Sequence, residues 1–399
     1  MQTARVALGD KSSIAELEAK AYLSYAGVAP VSSPVALAVR EVLSDYARLG
    51  QNALFRWLPR RERLRERLAA LIGASPADIG LVSGTTRGIS DLALCMPWQR
   101  GDRVALFRGE FPANVSPWQN VAQLFGLAIE FLPQPLPGQD EDAVLGPLEA
   151  LLATGVRLVA VSAVAFQTGF RLPLAAMARL CHARGAQIAV DAVQACGVVP
   201  IDVAELELDY LVCGAHKWLM GIEGGGFVYA RPGRAQALVP RTGGWLSHVD
   251  ATLFLQGPAG ELRYDRPIKD EIQFVEQGSS SVVALAALEA SIEPILTLTP
   301  AAIFEHVSAY LDALQAGLDA RGLSHLRSPR RAERAGILAL RPPAGLGAAE
   351  LSSALRARGV VTGTPDGFVR FSPHFPNSIE EVPVVLGALD EALLEARRV

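Results

Sequence analysis

The sequence predicts an α/β protein: a large domain built on a mostly parallel mixed sheet flanked by helices, followed by a smaller α+β domain. Three observations lead there. Between residues 80 and 231, short apolar runs alternate with segments of helical spacing. Most of those runs are unbroken Val, Ile, Leu and Ala, as in strands covered on both faces. After about residue 290 the pattern turns into long helical stretches around two short strand candidates, an α+β pattern. The expected division is 21–285 for the large domain and 286–399, together with 1–20, for the small one.

Seven strands are expected in the large domain: Ile79–Val82, Arg103–Phe107, Ala128–Leu132, Arg157–Val164, Gln187–Asp191, Tyr210–Cys213 and Gly226–Ala230. Leu174–Arg184 carries helical spacing between two of them, and Gly185 stands where a left-handed cap residue ends a helix. Ser75-Pro76-Ala77-Asp78 has the N-cap, first-turn proline and acid of a helix start. In the small domain, helices are expected over Pro300–Ala320, Ala348–Arg358 and Ile379–Arg397, and strands over Gly336–Arg341 and Phe368–Phe371.

Composition removes several classes of function. The 399 residues carry a net charge of −4, so no basic face for nucleic acid is expected. Arg56 to Arg67 holds six arginines, but Glu62 and Glu66 interleave with them, and Leu64, Leu68, Leu71 and Ile72 recur at helical spacing. A solvated helix face with local ion pairs accounts for this. The second basic cluster, Arg327 to Arg334 beside Pro329, reads as a surface loop. The longest stretch without Asp, Glu, Lys or Arg, Phe111 to Ile129, contains two prolines and several amides, which a lipid-facing helix would not tolerate. Met1 to Lys20 has no apolar core of a signal peptide. The four cysteines form no CxxC and no metal pattern with the six histidines. A cytoplasmic protein with reduced, buried thiols and no metal is expected, without membrane or nucleic-acid partners.

Of 37 basic residues only four are lysine: Lys11, Lys20, Lys217 and Lys269. Lys217 alone lies among apolar neighbours, after the strand Leu211-Val212-Cys213 and before glycine-rich Gly221 to Gly226. A lysine desolvated there shifts toward its neutral, nucleophilic form, as Schiff-base chemistry requires; a lysine snorkelling from the sheet edge would show the same pattern. Asp191 ends the strand Ile188-Ala189-Val190, with Gln194 three residues on. The carboxyl ends of strands in open α/β sheets carry ligand groups, although an aspartate there can also merely cap a turn. In Val82-Ser83-Gly84-Thr85-Thr86-Arg87, a small-residue turn opens a helix, and its N–H groups and hydroxyls suit a phosphate.

Phosphate cradle, acid and lysine in that order resemble the class V aminotransferase family of fold type I pyridoxal phosphate enzymes, which includes cysteine desulfurases, selenocysteine lyases and isopenicillin N epimerases. The resemblance runs from Tyr22-Leu23-Ser24-Tyr25 to Val369-Arg370-Phe371-Ser372, and is most specific from Val190 to Pro232. It implies that Lys217 links to pyridoxal 5'-phosphate through a Schiff base and that Asp191 pairs with the pyridine nitrogen. Gln194 would contact the ring oxygen, Thr85, Thr86 and His216 would hold the phosphate, and Phe111 would stack on the ring. Ser279, after Gly278, would reach the partner subunit's phosphate, implying a homodimer with shared sites. Arg370 would grip a substrate carboxylate.

The departures from the family are equally specific. Gly214 stands where the family has a serine, and Phe111 where desulfurases have a histidine. The loop Val360 to Gly367 lacks the desulfurase cysteine, which disfavours that reaction. Tyr25, Trp245 and Phe166 are candidates for an apolar pocket wall. The resemblance thus implies an enzyme acting at Cα of an amino acid or related amine. Aminotransferase is preferred, with β-elimination or C–S lyase and epimerase next, and a non-catalytic homologue more remote.

Overall fold

The computed structural model describes residues 6–396. Residues 1–5, at the start of the N-terminal segment, and 397–399, including the last residue of the final expected helix, lie outside the described residues. The chain enters through a short strand β1 (Ala21–Leu23) and three helices, α1 (Ser33–Leu49), α2 (Gln51–Trp57) and α3 (Arg60–Ile72). Strands and helices then alternate: β2 (Ile79–Val82), α4 (Thr85–Cys95), β3 (Arg103–Phe107), α5 (Ser116–Phe125), β4 (Ala128–Leu132), α6 (Glu141–Leu152), β5 (Leu158–Ser162), α7 (Leu174–Ala183), β6 (Gln187–Asp191), β7 (Tyr210–Gly214) and β8 (Gly226–Ala230). The rest comprises α8 (Leu253–Gln256), α9 (Val282–Leu298), α10 (Pro300–Asp319), β9 (His325–Leu326), β10 (Leu338–Leu340), α11 (Ala348–Ala357), β11 (Val360–Thr362), β12 (Val369–Phe371) and α12 (Val382–Ala396).

The seven strands from β2 to β8 form one sheet in the order β2-β8-β7-β6-β5-β3-β4. Only β8 runs against its neighbours, so the sheet is mixed and mostly parallel, as expected. The unbroken apolar runs have a direct cause. Along β3, Val104 and Leu106 enter one buried cluster while Ala105 and Phe107 enter the other, on the opposite face. β4, at the edge, is partly exposed and holds Glu130. A three-stranded sheet β12-β10-β9 and a parallel pair β1-β11 lie in the C-terminal part, which also draws in the N-terminal strand.

Several expectations are corrected. Ser75–Asp78 opens no α-helix: Pro76–Asp78 makes a single 3₁₀ turn that delivers the chain into β2, because the next four residues are all buried as strand. The fourth expected strand is trimmed to Leu158–Ser162, after which Val164 meets only Arg171 across an isolated bridge. Among the arginines of α3, Arg65 keeps a local pair to Glu62 and Arg63 stays largely exposed, but most of their partners come from elsewhere in the chain. Arg65 and Arg61 close on Glu276, the former at 2.6 Å, and Arg60 and Arg67 reach Glu289 and Glu293 of α9 at 2.6 and 2.8 Å. The helix packs on α9, and Glu289 and Glu293 are the partners its arginines meet there, while Glu276 lies just before that helix. In the second basic cluster Arg327 is drawn inward onto Asp312 and Gln315 of α10, at 2.6 and 2.9 Å, rather than standing in solvent.

Among the described residues no single helix is long and apolar enough to cross a membrane; α9 and α10 satisfy that measure only jointly, across a 79° bend.

Helix α4 lies close on the sheet because of Gly88. A Cβ there would come within 2.6 Å of Val212 Cγ1 and 2.8 Å of Val228 Cγ2. Both valines are buried on central strands and have stiff β-branched side chains that cannot swing away. Gly88→Ala is therefore expected to lower unfolding stability by roughly 1–3 kcal/mol, measured by denaturant titration; an unchanged midpoint would mean that α4 can lift without cost.

Candidate active site

The carboxyl ends of β2, β3, β5, β6 and β7 open onto one cavity of about 820 Å³. Each end contributes a loop. β2 leads through Ser83 and Gly84 into α4, β3 leads to Phe111, β5 to Phe166, β6 ends on Asp191, and β7 leads to His216 and Lys217. Gly84, the residue before α4, has φ +152° and takes a conformation favouring glycine. The first N–H groups of α4 have no partner within their helix, and Thr85, Thr86 and Arg87 of that first turn line the cavity. Thr85 Oγ1 is buried and makes no hydrogen bond.

Lys217 follows β7, and its next residues form a tight turn. Met220 N–H donates to the Lys217 carbonyl at 2.9 Å, and Met220 itself has φ +56°. Burial holds the Lys217 ammonium below the usual lysine range; Asp191 opposes that shift and Arg370 adds to it. Asp191 is 3% exposed and accepts the Val193 N–H at 2.9 Å. Burial pushes its carboxyl up to about 6, against the lowering by that hydrogen bond and by Lys217. Gln194 is oriented from both ends: Trp218 Nε1 donates to its Oε1 at 2.8 Å, and its Nε2 donates to the Ala26 carbonyl at 3.0 Å. One Nε2 proton stays available to the cavity.

Arg370, on β12, crosses from the C-terminal part. Its Nη1 donates to the Phe166 carbonyl at 2.7 Å, while its Nε is buried without a partner. Burial without a carboxylate lowers its pKa to about 10, which describes a guanidinium suited to receiving an anion. Opposite the lysine the wall is aromatic. Lys217 Nζ lies 5.4 Å from the Phe111 ring centroid, and Phe166 packs edge-on against Phe111 at 5.2 Å.

Thus Thr85, Thr86, Phe111, Phe166, Asp191, Gln194, His216, Lys217 and Arg370 are brought together, whereas three other candidates are not. Tyr25 is wholly buried in the core, edge-on to Tyr22 and His374 at 5.2 and 5.3 Å, and does not line the cavity. Trp245 and Ser279 line a second, smaller cavity of about 180 Å³ beside Tyr46 and Trp57. Both lie on one external flank of the protomer, so within a single chain neither reaches Lys217.

Other lining residues carried no independent sequence signal. Arg87 and Glu223 line the cavity, yet each reads in sequence as an ordinary surface charge. Glu110 is a buried carboxyl behind the aromatic wall. It accepts the Ser162 N–H at 2.7 Å and Asn114 Nδ2 at 3.1 Å, tying the end of β3 to the end of β5. Burial pushes it up to about 7, with Asp191 adding to the shift.

The sequence matches the family model described as aminotransferase class-V over residues 21–368. An uncharacterised aminotransferase of Bacillus subtilis is 24% identical over 92% of both chains. The isopenicillin N epimerase of Streptomyces clavuligerus is 28% identical over 82% of this chain and 83% of its own. Among solved structures, the apo cysteine desulfurase of Thermococcus onnurineus superposes with a TM-score of 0.82 at 22% identity, covering 99% of this chain and 100% of that one.

The residues present fit the cofactor of that family. A phosphate needs donors at a helix start, and Thr85 Oγ1 is a buried hydroxyl without a partner there. A protonated pyridine needs a buried anion, which Asp191 supplies on its strand end. A family model spanning most of the sequence, on a fold and cavity of this form, places the chain in the class V aminotransferase family of fold type I enzymes dependent on pyridoxal 5'-phosphate.

Proposed function

We propose that the protein is an aminotransferase acting on an amino acid or a closely related carboxylated amine. The observation that carries this reading is the makeup of the cavity around Lys217: one titratable amine on one side, an aromatic wall of Phe111 and Phe166 on the other, and no thiol among the lining residues. Epimerisation by two opposed bases calls for a second acid–base group across from the lysine, where these rings lie. Desulfuration through a persulfide on the protein calls for a cysteine, and all four cysteines are buried away from the cavity. Transamination needs a single base that can move one proton, and Lys217 fits that role.

Bound pyridoxal phosphate supplies a pyridine ring that accepts the electron pair left at Cα. Thr85, Thr86 and His216 would hold its phosphate, Asp191 its ring nitrogen and Gln194 its ring oxygen, with Phe111 beside the ring. Lys217 would be the residue that binds it, and its Nζ would be the base placed to hold and move the Cα proton. Its lowered pKa makes the neutral amine available nearer neutral pH. Arg370 orients the substrate carboxylate through its free Nε edge, with Phe166 fixing the other side of the guanidinium. The aromatic wall excludes water and favours an apolar substrate side chain. The exposed flank of Tyr46, Trp245, Phe254 and Leu255, next to Ser279, supports a homodimer in which that flank completes the partner's site. No nucleic-acid or membrane partner enters this reading, and a cytoplasmic location accords with it.

β-Elimination is the second reading, because it also needs only one base. A panel of amino acids separates the two. With the preferred substrate, purified protein should convert cofactor to its pyridoxamine form and release the matching keto acid, and a second keto acid should restore the starting spectrum. Amines lacking the carboxylate should be poorer substrates. Release of pyruvate together with sulfide or another leaving group would establish the lyase instead, and inversion at Cα without keto acid would establish the epimerase.

A further inference from the structure

We infer that Arg87 is a direct ligand of the cofactor phosphate, clamping it beside the hydroxyls and N–H groups of Thr85 and Thr86. The inference rests on the cofactor reading above and adds to it a residue and a charge.

Arg87 is the third residue of α4. A cation in the first turn of a helix faces the positive end of the helix dipole, an unfavourable position unless an anion sits in front of it. Its stem is fixed rather than loose. Asp91, one turn on, accepts from Arg87 Nε at 2.8 Å and is only 1% exposed. Asp91 is held in turn by Gln277 Nε2 at 3.0 Å. With Nε committed, Nη1 and Nη2 donate to nothing among the described residues, and Arg87 lines the cavity.

Independent features of the same end of the cavity point to an anion. Thr85 is 7% exposed, and its Oγ1 is buried without a partner on the same helical turn. Beneath it lies Gly214, where a Cβ would come within 2.9 Å of that oxygen; the floor leaves room for the hydroxyl and contributes no donor of its own. His216 offers an imidazole whose pKa is held below the usual value by burial and by Lys217, with Glu223 opposing, so near neutral pH it donates without a full charge. The loop carrying Glu223 runs beside Gly84, since a Cβ on Gly226 would lie 3.2 Å from Gly84 Cα. Without Arg87, a phosphate dianion there would meet a carboxylate and no fixed cation. With it, two Nη groups match two phosphate oxygens.

The test compares pyridoxal phosphate with pyridoxal, which lacks the phosphate. Apoprotein of the wild type, Arg87→Ala and Arg87→Lys is titrated with each compound, followed by visible absorbance and tryptophan fluorescence. Circular dichroism and gel filtration confirm fold and assembly. Arg87→Ala should weaken pyridoxal phosphate about ten- to a hundred-fold and leave pyridoxal unchanged, with Arg87→Lys between the two. Unchanged phosphate-ester affinity would overturn the inference. So would an equal loss with pyridoxal, which would make Arg87 a structural residue of α4, or a shift to monomers, which would make it a subunit contact. A wild type that takes up neither compound would instead defeat the cofactor reading on which the inference rests.

Discussion

Replacing Lys217 with alanine is expected to remove the visible band that covalent attachment gives the cofactor and to lower turnover by about 10⁴-fold. The size follows from two roles on one atom. In the proposed function Nζ both attaches the cofactor and moves the Cα proton, so its loss would not be shared among helpers. No other lysine can take its place. Lys11 Nζ donates to the Lys20 carbonyl at 2.7 Å and pairs with Glu381 at 2.8 Å, and Lys269 donates to the Leu246 carbonyl at 3.0 Å. Lys20 packs against Gly359, remote from the cavity lining. Arginine cannot substitute either, because it stays protonated, so Lys217→Arg should also remain without the band. The measurement is an absorption spectrum of each variant purified with added cofactor, followed by the substrate panel. A Lys217→Ala protein that keeps both the band and turnover would remove the lysine from the chemistry.

Much of the sheet was legible because its physics is local to each strand. An unbroken apolar run has both faces covered, and Val104 to Phe107 shows the consequence, with successive side chains in opposite clusters. The helices of the C-terminal part were legible from their spacing, but α9 before them was less so. α9 is apolar on most of its circumference, with nine of its residues buried, so no amphipathic period marks it. The turn at Pro76–Asp78 carries a helix-start pattern that the strand after it overrides. Ion pairing was misjudged for the same kind of reason. Glu62, near in sequence, takes Nη1 of Arg65, but Glu276, 211 positions away, accepts from its Nε and Nη2.

In the site, the residues found from sequence are those whose strand ends converge by topology. A parallel sheet brings Thr85, Asp191 and Lys217 to one edge whatever the loops do, and an acid or a lysine at a strand end is already an anomaly worth reading. Arg370 reaches the cavity from a different sheet, and only the resemblance pointed to it. Trp245 and Ser279 illustrate the limit of such reading: both line a separate cavity beside Tyr46 and Trp57, away from Lys217. Tyr25 has pocket-like chemistry but lies wholly in the core. Glu110 was hidden because a lone acid in a loop reads as solvated, whereas its position between β3 and β5 is a tertiary fact.

Asp191→Asn should separate what this carboxylate costs the fold from what it gives the reaction. Asparagine has nearly the same shape and keeps an oxygen for the Val193 N–H, which Asp191 now accepts at 2.9 Å. What is lost is the negative charge. In the apoprotein that charge is a burden, since burial raises the carboxyl to about 6 from its ordinary 3.8. An acid whose folded pKa lies above its unfolded value binds more protons when folded between those two values. Stability therefore falls as pH rises through that window, and above it the loss stays in full, on the order of 3 kcal/mol. Apo Asp191→Asn should thus melt higher than apo wild type at pH 8, and the gap should close as the pH is lowered toward 4. The loaded enzyme should show the opposite preference. Asparagine cannot supply the buried anion that would keep a bound pyridine protonated, and turnover should drop by about 10²–10⁴-fold. A variant less stable than wild type at pH 8 would show that Asp191 is held by partners that favour its charge. A variant of undiminished activity would show that the reaction does not draw on that charge. Finding both together, a more stable apoprotein and a slower enzyme, would identify Asp191 as a charge kept at the expense of the fold for the sake of the chemistry.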